Sequence, residues 1–106
     1  MNAIMQITIT ARHCEIPDLL RERARARLER MSRIAPRPQH AQIVFAAEGG
    51  RAMVELRLQA ARGRVHVATA QGPDHRTAFD QGIAKLRRQL ARPRAARSRA
   101  VARRAR

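Results

Sequence analysis

The hydrophobic period along the chain changes several times, and each change predicts an element. Met5, Ile7 and Ile9 alternate with Gln6, Thr8 and Thr10, the pattern of a strand with one buried face. Pro17 stands where a helix would start, and Asp18 and Glu22 complement the dipole of its first turn. Leu20, Ala24, Leu28 and Met31 then fall within one arc of about 80° at helical spacing. Residues 17–33 therefore read as an amphipathic helix, ended by Pro36 and Pro38. Ala41, Ile43 and Phe45 resume period two. Gly49-Gly50 makes a turn, and Val54, Leu56 and Leu58 form the inward face of a third strand. Gly63 breaks that run, and Val65, Val67 and Thr69 make a fourth. Asp74 caps a second helix on which Phe79, Ile83, Leu86 and Leu90 cluster within about 60°. Pro93 stops it.

The order β-α-β-β-β-α places the chain in the α+β class. Three consecutive strands on short turns form an antiparallel meander within a four-stranded sheet. Two helices with one apolar stripe each are expected to cover one face of it. A length of 106 residues fits a single domain, read as 1–92, followed by a flexible arm over 93–106. That arm has no large apolar residue except Val101, too little to fold by itself.

Charge changes the picture more than composition does. The chain carries 23 Lys and Arg against 8 Asp and Glu, a net +15, and every basic residue except Lys85 is Arg. The excess is shared between the predicted domain and the arm, whose basic residues have no acid among them. Such a charge attracts polyanions, and the guanidinium fork suits phosphate oxygens. No apolar run approaches the roughly 20 residues of a membrane span. The N-terminal residues show no secretory pattern, and the single Cys14 cannot form an intramolecular disulfide, so a cytoplasmic location is expected.

On the second helix Lys85, Arg88 and Arg92 recur at i, i+3 and i+7, opposite the apolar stripe, with Arg87 between the two faces. No acid lies between Gln81 and Arg92, so this row points to phosphate binding more than to an ordinary solvated face. On the first helix Arg21 and Arg25 flank one edge of the stripe, and Arg23, Arg27 and Arg30 flank the other. Phe45 and Phe79 both fall on predicted core faces, and there is no Tyr or Trp. Base stacking of the single-strand readers has no exposed aromatic to use, so recognition is expected through phosphates and the shape of structured RNA. His13, His40, His66 and His75 are scattered, and His13-Cys14-Glu15 on a strand end would point to diverging sides. No catalytic residue, metal, cofactor or small-molecule substrate is predicted, and the protein reads as not an enzyme.

The stretch Met5-Gln6-Ile7-Thr8-Ile9-Thr10, then Arg12-His13, Glu15-Ile16 and Leu20-Arg21, resembles the opening of the ribosome hibernation-promoting factors, also called ribosome-associated inhibitor or sigma-54 modulation proteins. Asp74, Ala78, Asp80 and Lys85-Leu86-Arg87-Arg88-Gln89-Leu90 are similar to that family's last helix. The resemblance covers about 5–92 and departs from the pattern at Arg76, where an aromatic is usual, at Pro17 and in the short 48–51 turn. It implies a fold related to the double-stranded-RNA-binding domain. It also implies binding to the small ribosomal subunit (16S-type rRNA) near the decoding centre, where the protein would exclude mRNA and tRNA under stress or in stationary phase. The rRNA contacts it implies are Lys85, Arg88 and Arg92 first, then Arg21 and Arg25, with Arg87 beside them. The alternative is a generic structured-RNA- or DNA-binding module without ribosome specificity. Off the ribosome a monomer is expected, because an exposed strand edge permits a dimer but nothing in the sequence demands one.

Overall fold

In the computed structural model, which describes residues 5–34 and 38–91, the chain runs β1 (Gln6–Arg12), α1 (Asp18–Met31), β2 (His40–Glu48), β3 (Arg51–Gln59), a single 3-10 turn (Ala61–Gly63), β4 (Val65–Gly72) and α2 (His75–Ala91). The sheet order is β1-β2-β3-β4, with β1 parallel to β2 and the other neighbours antiparallel. This is the predicted β-α-β-β-β-α arrangement on a four-stranded mixed sheet. The arm over 93–106 lies outside the described residues.

The core sits between the sheet and the helices. Ala41, Ile43 and Phe45 of β2 face Leu58, Leu56 and Val54 of β3, and all six are buried. Leu20, Ala24, Leu28 and Met31 of α1 close over them, as the helical period predicts. Pro17 is the N-cap rather than the first helical residue, and its carbonyl accepts from the Leu20 and Arg21 amides. Gly49 and Gly50 both have positive φ, 58° and 79°, which a two-residue hairpin with Glu48 opposite Arg51 requires.

The fourth strand differs from its expected phase. Ala68, Ala70 and Gly72 face the core, whereas Val65, Val67 and Thr69 are exposed on the open side of the sheet. The reason is the closeness of α2. A Cβ placed on Gly82 would meet Leu56 Cδ1 at 2.9 Å and Val54 Cγ1 at 3.1 Å. Only small residues fit beneath a helix that near, so the larger valines turn outward.

Because β1 and β4 run in the same direction, the helices that follow them return over the sheet in parallel, side by side. α2 lies on β3 and β4, and α1 lies on the β1 side. Between them runs a seam that neither helix's own sequence reveals.

Candidate nucleic-acid interface

The seam is where the charge gathers. Helical spacing puts Arg23, Arg27 and Arg30 on the flank of α1 that meets α2, and Arg87 on the facing flank of α2, with Arg88 above it. Arg23, Arg27, Arg87 and Arg88 line a groove of about 560 Å³ floored by Ile83 and Ala84. A smaller hollow continues it toward the helix C-termini, sharing Arg27, Ile83 and Arg87 and adding Arg30 and Ile34.

One carboxylate interrupts this row. Asp80 Oδ1 accepts from Arg23 Nη2 at 3.1 Å and from Arg23 Nε at 3.3 Å, tying α1 to α2. Arg27, Arg30, Arg87 and Arg88 have no carboxylate partner among the described residues. Four unpaired guanidinium groups along one trough repel each other and favour an anion between them. Each can grip phosphate oxygens with two parallel N–H donors.

The residues singled out in the sequence are distributed around this groove. Arg87 and Arg88 line it. Lys85 instead reaches over the sheet edge, where its Nζ donates to the Thr69 carbonyl at 2.9 Å. Its neighbour one turn on, Gln89, donates to the Val67 carbonyl at 2.8 Å. Arg21, half-buried, and Arg25, exposed, lie on the flank of α1 turned away from α2. Arg92 lies outside the described residues. Arg23, Arg27 and Arg30 rank with the other α1 arginines in the sequence and emerge only from the pairing of the helices.

At the shared N-terminal end of the helices, the Thr77 amide donates to Asp74 Oδ1 at 2.7 Å and completes the expected cap. That bond holds the Asp74 carboxyl below its ordinary range. His75 Nε2 lies 2.8 Å from the Ala46 carbonyl, and its ring meets Phe45 edge-on. Phe45 and Phe79 are both fully buried, which removes them as stacking platforms. Cys14 is half-buried and unbonded. Among the described residues no three His, Cys, Asp or Glu side chains converge as metal ligands, and no helix is long and apolar enough to cross a membrane.

A parallel strand pair, two helices on one face and an arginine-lined seam are the features to compare with known proteins. The model of the family described as sigma 54 modulation protein / S30EA ribosomal protein matches residues 7–97. The chain belongs to that family. Its members are non-catalytic, ribosome-associated factors. A solved ribosomal subunit interface protein from Coxiella burnetii is 26% identical, with a TM-score of 0.71, over 82% of this chain and 94% of that one. The N-terminal domain of Thermus thermophilus Protein Y shares the fold at 24% identity, with a TM-score of 0.70, over 81% of this chain and 96% of its own. Among the curated proteins, none matches the sequence significantly.

Proposed function

We propose that the protein is a cytoplasmic hibernation factor that binds the small ribosomal subunit near the decoding centre, laying the seam between its helices on rRNA phosphates. The observation that carries this reading is the groove of Arg27, Arg87 and Arg88, free of carboxylate partners, in a chain of a ribosome-associated family. Occupying the path of mRNA and tRNA inhibits translation by steric exclusion under stress or in stationary phase, and no bond is made or broken. Arg21 and Arg25, on the far flank of α1, and Lys85 and Arg92 contribute at the margins of the contact. Buried aromatics favour recognition of backbone shape over base identity.

The test is co-sedimentation of the purified chain with small subunits, large subunits and bulk duplex RNA at near-physiological salt. Saturable one-to-one binding to the small subunit alone is expected. The triple variant Arg27→Glu/Arg87→Glu/Arg88→Glu should lose it while keeping the wild-type circular dichroism spectrum. Equal, unsaturated binding to all three would reduce the protein to a generic RNA-binding module. Full binding by the triple variant would remove the groove from the contact.

A further inference from the structure

The two edges of the sheet are finished differently. On β4 the outward carbonyls of Val67 and Thr69 accept from Gln89 and Lys85, so α2 caps its own edge. The outer edge of β1 carries no such cap among the described residues. Exposed edges are ordinarily blunted by a charge, a proline or a bulge. Residues 6–11, QITITA, contain none of these, and Arg12 comes only at the end. We propose that two copies of this chain pair through this edge, β1 antiparallel to β1, about a two-fold axis at Ile9.

The register follows from the backbone. The Gln6 amide donates to the Gln39 carbonyl at 3.1 Å, so strand alternation aims the amides and carbonyls of Gln6, Thr8 and Thr10 at β2. Those of Ile7, Ile9 and Ala11 point outward. Antiparallel pairing about Ile9 sets Ile9 against Ile9 of the second copy and Ile7 against Ala11. Every outward donor and acceptor of the three residues then has a partner. A two-fold interface needs this self-complementarity. The same three side chains face the core yet are only half-buried, because the core stops at this edge. A second copy continues it.

Charge selects the second copy over a polyanion. Asp18, Glu22 and Glu29 lie on the side of α1 turned from α2, interleaved with Arg21 and Arg25. None of the five makes an ion pair among the described residues. In an antiparallel pair of α1 helices such a mixed row opposes acid to base, whereas the seam on the opposite flank is basic and remains open. The net charge of +15 on each copy opposes association at long range, so screening by salt should strengthen the dimer.

Sedimentation velocity on the full-length, nuclease-treated chain, over a concentration series at about 0.1 and 0.5 M salt, tests this without any ribosome present. The expected result is a monomer–dimer equilibrium that shifts toward dimer with concentration and with salt. Thr8→Lys/Thr10→Lys sets like charges directly across the new strand pair on the open face and should leave only monomer, with an unchanged melting curve. Asp18→Arg/Glu29→Arg, on an exposed surface, should weaken the dimer by about tenfold and covers the case in which the strand variant does not fold. Monomer at every concentration overturns the proposal. So does a dimer that survives these substitutions in folded protein, or one that salt dissociates.

Discussion

Asp80 is the single carboxylate in the arginine-lined groove, and its effect there is opposed to its effect on folding. It joins α1 to α2 through Arg23, yet both side chains are partly exposed, so the pair is worth no more than about 1 kcal/mol. Asp80→Asn should therefore change stability by less than about 1 kcal/mol in chemical denaturation. The same change frees Arg23 and should tighten binding to structured RNA several-fold in a filter-binding titration; weaker binding would show that Arg23 must be held in place. Asp74 sets a pH dependence instead. Its carboxyl is held below the ordinary range by the Thr77 amide, so at mildly acidic pH the unfolded chain binds the additional proton. The stabilisation is complete above about pH 4, the unfolded value, and is lost as pH falls through the folded value. Melting temperatures of wild type and Asp74→Asn should differ at pH 7 and converge below about pH 3. At this scale the sequence was a partial guide to the site. The helical period sorts the α1 arginines into two flanks, Arg21 with Arg25 and Arg23 with Arg27 and Arg30. Which flank meets α2 depends on the crossover from β1 to β2, and no local pattern encodes that.

The strands and helices themselves were legible, because period two and period 3.6 are imposed by burial on one face. The phase of β4 was not. Valine reads as core, but a helix that approaches within contact of Leu56 and Val54 leaves room only for Ala68, Ala70 and Gly72. That closeness makes Gly82 a sensitive position. Gly82→Val should cost about 1–3 kcal/mol by overpacking and be seen as an earlier urea midpoint with an unchanged slope. The role of Lys85 was hidden for a related reason: a long side chain on a polar helix face can turn to the nearest unsatisfied carbonyl. Lys85→Met/Gln89→Met removes both caps on β4 while keeping the apolar stems. Stability should fall by about 1 kcal/mol per exposed bond or less, but light scattering of concentrated protein should rise as the edge becomes available for pairing.

Over the whole molecule, charge is divided by the two flanks of α1: basic along the seam and mixed on the side of β1. Binding to rRNA and pairing with a second copy therefore have opposite salt responses. If the seam and its margins contact about six phosphates, affinity for the small subunit should drop about a thousandfold between 50 and 200 mM salt. A flat response would remove electrostatics from the account. The one parallel strand pair has a separate consequence, for the order in which the chain gains and loses structure. β2, β3, β4 and α2 are joined by short connections and can assemble through contacts between neighbours. Gln6 reaches its partner His40 only after the whole of α1 has been placed. Its closure therefore bears the larger loop entropy, and β1 should join late and leave early. In native-state hydrogen exchange of the monomer, the amides of Thr8 and Thr10 should exchange through a partial opening, while those at the centre of β3 await global unfolding.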